Sequence, residues 1–490
     1  MRDTFVAPSP ATVDLRLFIG GRWVDGAGAP FGVVSPSTGQ VVASGRSAEG
    51  DQVRAAVTAA ARAFADYRRT PVFQRAALCR RIGDALLRRR EEIARDLALE
   101  QGKTLAEANV EVRIAAEMFH EAGEDVKRLA GEVLPSADAD KRIHVVREPI
   151  GVVGVITPWN FPLTIPTEYL SACLAVGNAV VWKPATFTPV TAQHAVECMA
   201  EAGVPPGVVN LVFGPGPVVA QVLASEPAVT GIGVTGSPTT GEAIARLAGT
   251  RRLLLELGGN GPAIVAEDAD LDRAIARIAR GCFANAGQIC DSTERILVQR
   301  RLHETLVEGL VEAARRIRLD ASLAEGATMG PLNNDDTARK VDRHLADARE
   351  RGARVLLGGR RQAGRPTALY YEPTVVDGVA TEMLLNREET FGPVAPVLVF
   401  DSDEEAIRIA NDCELGLVAG VFTRDLARAD LYARGLQAGI VNVNEGATYW
   451  QPHTPFGGYA GKRSGLGRLG GRYTMLELSQ LKTVVIDVAP

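Results

Sequence analysis

The chain is 490 residues long, with 46% hydrophobic and 23% charged residues, which is too long for one core and predicts two or three globular domains. Its net charge of −5 excludes the basic footprint of a nucleic-acid-binding protein. No apolar run is long enough to cross a membrane, and no secretory leader pattern opens the chain. Six cysteines and six histidines lack metal-ligand or disulfide spacing, so we expect no metal and a cytoplasmic location.

The first 150 residues mix a tail, a hairpin and amphipathic helices. We predict a loose tail over 1–14, a hairpin over 18–25, helices over 51–67, 75–101 and 105–130, and a strand over 141–148.

From residue 151 onward, short apolar strands alternate with helices. The strand candidates are 152–156, 179–182, 208–213, 229–234 and 253–257. This alternation predicts a parallel, doubly wound α/β sheet, which binds ligands at the carboxyl ends of its strands.

A second alternation of strands and helices begins after Gly258-Gly259 and predicts another α/β domain. Its strand candidates are 263–265, 295–298, 354–357, 371–375, 394–400 and 417–422. The last strand, 482–488, has no neighbouring partner in the sequence. We infer that it pairs elsewhere, for instance with the sheet of another subunit.

Polar and glycine residues follow the strands of the first sheet. Gly236 and Ser237 open a helix, where free N–H groups and the helix dipole suit a pyrophosphate. The pattern G-x-G-x-x-G is absent from this sheet, so a dinucleotide fold does not follow from these residues alone. Lys183 is either a ribose or phosphate ligand or a surface lysine.

Three residues have the properties of catalytic groups. Cys290 follows a polar turn at the end of an apolar helix and is a candidate nucleophile, the alternative being an inert buried thiol. Glu256 lies in an apolar strand, where burial should raise its pKa toward that of a general base, unless it is only structural. Asn160 could stabilise an oxyanion or simply form a turn.

Seven motifs in order resemble the aldehyde dehydrogenase superfamily, over about residues 18–488. They are Pro158-Trp159-Asn160-Phe161-Pro162, Lys183-Pro184-Ala185, Gly236-Ser237, Glu256-Leu257-Gly258-Gly259, Gly287-Gln288-Ile289-Cys290, Glu388-Glu389-Thr390-Phe391-Gly392-Pro393 and Pro455-Phe456-Gly457-Gly458. The resemblance implies an α/β fold with a Rossmann-like coenzyme domain (15–130 and 150–258), an α/β catalytic domain (259–458) and a small β oligomerisation arm (131–149 and 475–490).

The resemblance also implies a covalent mechanism for oxidising a small-molecule aldehyde. Cys290 would form a thiohemiacetal, Asn160 and the Cys290 N–H would hold its oxyanion, and hydride transfer to NAD or NADP would leave a thioester. Glu256 would then activate the water that hydrolyses the thioester. The chain would form a homodimer or homotetramer.

The resemblance assigns the cofactor a specific set of residues. Lys183 and Glu389 would bind its two riboses, Phe391 would lie beside the nicotinamide, and Ser237 would contact the pyrophosphate. The whole set is Ile156, Thr157, Pro158, Trp159, Lys183, Ala185, Thr186, Gly216, Gly236, Ser237, Leu257, Glu389 and Phe391.

The chain departs from the family pattern at two positions. Thr186 replaces a glutamate that often repels the 2′-phosphate of NADP, so NADP should be tolerated and could be preferred. Glu168 stands where succinate semialdehyde dehydrogenases, whose Glu-Gln-Gly-Lys segment resembles 100–103, carry an arginine that binds the substrate carboxylate. The change favours a neutral, aromatic or cationic aldehyde, unless Glu168 pairs with a nearby arginine. The substrate residues would be Phe161, Glu168, Tyr449, Trp450 and Phe456, and the Tyr449-Trp450 pair is either an aromatic wall or packing.

Other functions stay open at this point. The enzyme could be a semialdehyde dehydrogenase acting on an anionic aldehyde. A thiol acyltransferase or hydrolase without redox chemistry would need a histidine base, and the nearest, His303, lies on an ordinary amphipathic helix. A non-catalytic relative is disfavoured by the intact Cys290, Glu256 and Asn160, and a CoA-acylating enzyme is disfavoured by Glu256.

Overall fold

The computed structural model describes residues 12–489. Residues 1–11 of the predicted tail, and residue 490 of the predicted arm, lie outside the described residues. The tail prediction is wrong at its inner end, because Val13–Leu15 forms a strand.

The chain up to residue 256 begins with short strands and continues as helices alternating with strands. Its strands are β1 Val13–Leu15, β2 Leu17–Ile19, β3 Arg22–Val24, β4 Pro30–Val34, β5 Val41–Arg46, β6 Glu132–Leu134, β7 Lys141–Pro149, β8 Val152–Ile156, β9 Ala179–Lys183, β10 Val209–Leu211, β11 Val229–Thr235 and β12 Arg252–Glu256. Its helices are α1 Gly50–Tyr67, α2 Val72–Arg88, α3 Arg90–Gln101, α4 Leu105–Asp125, α5 Thr164–Val176, α6 Pro189–Glu201, α7 Gly216–Ser225 and α8 Pro238–Ala248.

The rest of the chain repeats the alternation. Its strands are β13 Gly261–Val265, β14 Thr293–Gln299, β15 Arg354–Leu357, β16 Thr374–Asp377, β17 Val394–Phe400, β18 Val418–Phe422, β19 Ile440–Val443, β20 Gly465–Leu466 and β21 Ser479–Asp487. Its helices are α9 Leu271–Phe283, α10 His303–Arg315, α11 Asp335–Glu350, α12 Leu384–Arg387, α13 Asp403–Asn411, α14 Leu426–Gly435 and α15 Gly471–Glu477.

The larger sheet has eight strands in the order β20-β12-β11-β8-β9-β10-β2-β3. Its five predicted strands, β8 to β12, are all present and pair in parallel. They are buried on both faces, which explains their continuous apolar sequences. In the ladder, Ile156 pairs with Lys183 and Thr235 pairs with Glu256. The register therefore brings the strand ends that carry the candidate catalytic and cofactor-binding residues to one edge of the sheet.

The second sheet has seven strands in the order β15-β16-β17-β14-β13-β18-β19. Each of the six predicted strands overlaps an observed one, but the prediction 371–375 is displaced, because the strand there is Thr374–Asp377. Among the described residues, only β15 runs antiparallel to its neighbour in this sheet. A three-stranded N-terminal sheet of β1, β5 and β4 was not predicted, because its strands are short and interrupted by glycines.

The last strand pairs within its own chain. β21 runs antiparallel to β7 over nine residue pairs, and β6 covers the other side of β7. One edge of β21 is left unpaired in this three-stranded sheet. Within residues 12–489, the helices are too short or too polar to span a membrane.

Candidate active site

Cys290 lies between the two large sheets, after a turn with unusual backbone geometry. α9 ends at Phe283, and the following residues Asn285 and Ala286 have positive φ angles of 47° and 55°. Such left-handed geometry costs free energy in residues with a side chain, and it is concentrated at functional sites. Gly259 packs so closely on the Cys290 carbonyl that a side chain there would clash with it. The turn and Gly259 together fix the direction in which Cys290 is presented.

Asn160 is bound to the same turn. It is 3% exposed. Its side-chain Nδ2 donates to the Gln288 carbonyl at 3.1 Å. Its own carbonyl accepts hydrogen bonds from Asn285 Nδ2 at 3.1 Å and from Lys103 Nζ at 2.9 Å. The Asn160 amide therefore lies at the Cys290 turn, where it can reorient toward an oxygen bound to the sulfur.

A buried ion pair anchors the loop that contains Asn160. Lys103 Nζ lies 2.5 Å from Glu111 Oε2, and both side chains are almost fully buried. Glu111 Oε1 accepts from the Leu163 and Thr164 N–H groups at the start of α5. Lys103 also lies 3.8 Å from the centre of the Phe161 ring. The sequence reasoning noted Lys103 only as part of a motif, because its partners are remote in sequence.

Replacing Lys103 with methionine should loosen this loop. The change leaves Glu111 as an unpaired buried charge, which should cost about 3–5 kcal/mol in the free energy of unfolding. Loss of the bond to Asn160 should also lower kcat by about tenfold. Denaturant unfolding and steady-state kinetics measure the two effects.

The double variant Lys103→Met/Glu111→Gln separates the two effects. It removes the unpaired charge, so stability should largely recover while kcat stays low. Wild-type kcat in the single variant would contradict a positioning role for Lys103.

Glu256 is a buried carboxyl group beside Cys290. It is 2% exposed at the end of β12, and its Oε1 has no hydrogen-bond partner among residues 12–489. Burial raises the pKa of Glu256 to about 8, against an opposing contribution from the neighbouring Cys290 thiol. Burial and the adjacent Glu256 and Asp291 carboxyls also raise the pKa of Cys290. The Cys290 thiol therefore lies beside a carboxyl group that can act as a base once pH rises through about 8.

A cleft at the carboxyl edge of the larger sheet leads to Cys290. It has a volume of about 440 Å³. It is lined by most of the predicted cofactor residues: Ile156, Thr157, Pro158, Trp159, Lys183, Ala185, Thr186, Gly236, Ser237, Leu257, Glu389 and Phe391. The exception is Gly216 at the start of α7, which does not line this cleft.

The polar groups in this cleft fit a dinucleotide. Lys183 is 6% exposed, and burial lowers its pKa to about 8. Glu389 accepts a hydrogen bond from the Gly259 N–H and lies 3.9 Å from Lys340. Ser237 caps α8 and accepts from the Thr240 N–H, and nothing crowds the adjacent Gly236. These residues can therefore receive ribose hydroxyls at Lys183 and Glu389, and phosphate oxygens at the helix start.

Two aromatic residues close the cleft near Cys290. Trp159 and Phe391 meet edge to face with ring centres 5.6 Å apart. Phe391 has a positive φ of 58°, and Glu294 holds its loop by accepting from the Thr390 and Phe391 N–H groups. This part of the cleft suits a flat ring. The sequence reasoning missed Phe187, Thr240, Asp336, Thr337 and Lys340, which also line it.

A second cavity, of about 480 Å³, also reaches Cys290. Phe161, Glu168, Trp450 and Phe456 line it, as expected for the substrate residues. Trp450 and Phe456 meet edge to face at 6.3 Å. Tyr449 is 49% exposed, and it lies outside both cavities. Glu168 makes no ion pair with any residue from 12 to 489, and it lines this cavity together with Glu256 and Asp291.

Most of the second cavity is built from residues that the sequence reasoning missed. One face of α4 contributes a wall, and α9 and the turn before Cys290 contribute another. The additional residues are Lys103, Ala106, Glu107, Val110, Glu111, Ile114, Thr164, Ile165, Arg280, Ala284, Asn285, Ile289, Asp291 and Thr448. The α4 residues recur every three or four positions, and this spacing predicts that they share one face of the helix. The spacing does not predict what that face contacts.

A thiol with a neighbouring carboxyl group, lining both a dinucleotide-sized cleft and a second cavity, is the arrangement that a cysteine-dependent oxidoreductase requires. Known proteins agree with this class. Residues 23–484 match the model of the aldehyde dehydrogenase family. The mitochondrial succinate-semialdehyde dehydrogenase of Arabidopsis thaliana is 39% identical over 471 residues, which cover 96% of this chain and 88% of the relative.

Two further comparisons cover almost the full length. The NADP-dependent succinate-semialdehyde dehydrogenase of Escherichia coli K12 is 38% identical, over 96% of this chain and 98% of the relative. A crystal structure of an NAD-dependent aldehyde dehydrogenase from Sinorhizobium meliloti superposes with a TM-score of 0.95 at 39% identity, over 98% of this chain and 96% of that one. The chain therefore belongs to the aldehyde dehydrogenase family. The predicted fold class, family and use of NAD or NADP are confirmed.

Proposed function

We propose that this enzyme oxidises an aldehyde to the carboxylic acid through covalent intermediates on Cys290. The observation that carries the proposal is the position of Cys290, which lines both the cofactor cleft and the second cavity. The test is formation of reduced nicotinamide, followed at 340 nm, with a panel of aldehydes and with each of NAD and NADP.

Attack on the aldehyde begins with a proton transfer. The Cys290 thiol gives its proton to the neighbouring Glu256 carboxylate, and the sulfur adds to the carbonyl carbon. The carbonyl oxygen becomes an oxyanion. Asn160 Nδ2 and the Cys290 N–H are the donors for it, because the Cys290 N–H has no acceptor among the described residues.

A nicotinamide held in the cofactor cleft would supply the oxidant for the thiohemiacetal, by accepting a hydride (a proton with two electrons) from its carbon. Trp159 and Phe391 would orient that flat ring against Cys290. The product on the enzyme is a thioester. Glu256, having returned its proton to solvent, then takes a proton from water while the water oxygen attacks the thioester carbon. The carboxylic acid leaves and the Cys290 sulfur is restored.

The rim of the cofactor cleft suggests tolerance of NADP. Thr186 is exposed there and bears no charge, so it offers no repulsion to a 2′-phosphate. We expect NADP to support turnover at least as well as NAD.

Replacing Thr186 with glutamate should shift this preference toward NAD. A carboxylate at that position repels the 2′-phosphate and can accept from ribose hydroxyls, so the NADP/NAD ratio of kcat/KM should fall by about 30-fold. Thr186→Gln, of the same size without charge, should change the ratio little. An unchanged ratio in Thr186→Glu would show that the adenosine ribose does not lie at this position.

For the aldehyde, we propose a neutral, aromatic or cationic substrate. The support is the pair Trp450 and Phe456 together with the acidic Glu168 in the second cavity. An anionic semialdehyde is the second candidate. Relatives named succinate-semialdehyde dehydrogenase favour it, as does Arg280, which lines the same cavity and has no acidic partner within residues 12–489. Predominant turnover of succinate semialdehyde in the panel would overturn the first candidate.

We also propose the domain division 15–130 with 150–258, 259–458, and 131–149 with 475–490. It is supported by two separate large sheets and a third sheet made of β6, β7 and β21. β21 has an unpaired edge and exposes Leu481, Val484, Val485 and Ile486. An apolar strand edge of this kind is a surface for pairing with another copy, so we propose a homodimer or homotetramer. The six free cysteines are in keeping with the proposed cytoplasmic location.

A further inference from the structure

The second cavity contains five carboxyl side chains, an unusual density for a binding site. They are Glu107, Glu111, Glu168, Glu256 and Asp291. Burying a carboxyl group is costly unless it is hydrogen-bonded or paired with a cation. Each of these five carboxyl groups should therefore have a bonding partner or a function.

Three of the five have clear roles. Glu107 accepts from the Asn285 N–H and closes the N-terminal cap of α4. Glu111 pairs with Lys103, and Glu256 is the proposed base next to Cys290.

Glu168 and Asp291 have no such role. Within residues 12–489, neither receives a hydrogen bond from another residue or forms an ion pair. Asp291 is only 7% exposed. Burial, and then the charges of Glu256 and Asp291, raise the pKa of Glu168. Glu168 and Asp291 line the same cavity. The cavity therefore contains two carboxyl side chains, called here the carboxyl pair, that have no cationic partner among residues 12–489.

The cavity offers no internal cation for this pair. Lys103 is already held by Glu111 and by the Asn160 carbonyl. Arg280 also lines the cavity, but it is exposed on the last turn of α9 and has no contact with either carboxyl. The aromatic rings of Trp450 and Phe456 line the same cavity. Carboxylates beside aromatic faces are the groups that bind organic cations.

We propose that Glu168 and Asp291 together bind a positively charged nitrogen at the far end of the aldehyde. The inference rests on the proposed function and narrows its substrate to cationic aldehydes. A cation between the two carboxyls offsets their mutual repulsion and stabilises the ionised form of both. An anionic aldehyde would meet like charges in the same place.

Three aldehydes test the proposal at pH 8: 4-(trimethylammonio)butanal, its neutral carbon isostere 5,5-dimethylhexanal, and succinate semialdehyde. The first two differ only in charge. We expect wild-type kcat/KM to be about 100-fold higher for the cation than for the isostere, since close charge pairs in protein complexes contribute strongly. Glu168→Gln and Asp291→Asn should each lower that ratio by about tenfold.

The matched control is Glu308→Gln, an exposed carboxylate on α10 outside both cavities, which should keep the wild-type ratio. Turnover of the isostere shows that a variant still folds and performs the chemistry, and Asp291→Asn serves if Glu168→Gln does not fold. Equal rates for cation and isostere, faster turnover of succinate semialdehyde, or unchanged ratios in both variants would overturn the inference while leaving the proposed function intact. Oxidation of none of the three aldehydes would count against both.

Discussion

Replacing Cys290 with alanine should abolish aldehyde oxidation. The sulfur is the atom that bonds to the substrate, and removing a covalent nucleophile lowers kcat by at least about 10⁴-fold. Reduced nicotinamide measured at 340 nm reports the loss. Binding of the cofactor should persist, because Cys290 is one of many residues lining that cleft. Titration with reduced nicotinamide therefore shows whether the variant is folded.

Cys198→Ala is the matched control for this variant. Cys198 is a fully buried thiol on α6, outside both cavities, so its loss should affect stability by a small amount and leave the chemistry in place. If Cys290→Ala kept more than about 1% of wild-type kcat, a covalent mechanism through this residue would be wrong.

Replacing Glu256 with glutamine should have the second-largest effect. The amide cannot accept a proton from the thiol or from water, so steady-state turnover should fall by about 10³-fold. Cofactor reduction should show one slow turnover and then stop, because the thioester has lost the base that activates its water. Rapid mixing with detection at 340 nm distinguishes this single turnover from a uniform decrease in rate.

The pH dependence of kcat is an independent test of the role of Glu256. Burial raises the pKa of Glu256 to about 8, and the deprotonated form is the active base. Wild-type kcat should therefore be low below that pKa and rise as pH increases through about 8. The rise should be absent in Glu256→Gln. Glu100, whose pKa is also raised to about 8 by burial, lies outside both cavities, so a folded Glu100→Gln variant should keep the rise. A flat wild-type profile would contradict the role of Glu256.

The parallel strands and the motif residues were predictable because their signals are local. β8 to β12 are short apolar runs bounded by turns, and each motif residue follows directly from its neighbours in sequence. Parallel pairing then brings Ile156, Lys183 and Glu256 together without further information. The same local reasoning misread the start of the chain, because β1 pairs in parallel with β5, a strand some thirty residues away.

The contacts in the second cavity could not be predicted from local sequence patterns. Asp291 is adjacent to Cys290 in sequence, but only the three-dimensional arrangement shows that its side chain has no hydrogen-bond or ion-pair partner from another residue within 12–489. Lys103 and Glu111 bind the Asn160 loop across more than fifty residues. Tyr449 and Trp450 are neighbours in one loop, yet only Trp450 lines the cavity. Side-chain direction in an irregular loop is set by tertiary contacts, so the sequence could not separate the two.

The most direct test of the account is the mass of Cys290 after reaction. The Glu256→Gln variant is incubated with an aldehyde and NAD or NADP and is then digested at low pH. The mass of the peptide that contains Cys290 is measured by mass spectrometry. The account predicts an added mass equal to the aldehyde less two hydrogen atoms, which identifies an oxidised thioester, and no such mass when the cofactor is omitted. An unmodified Cys290 peptide, or a thioester on any other residue, would contradict it.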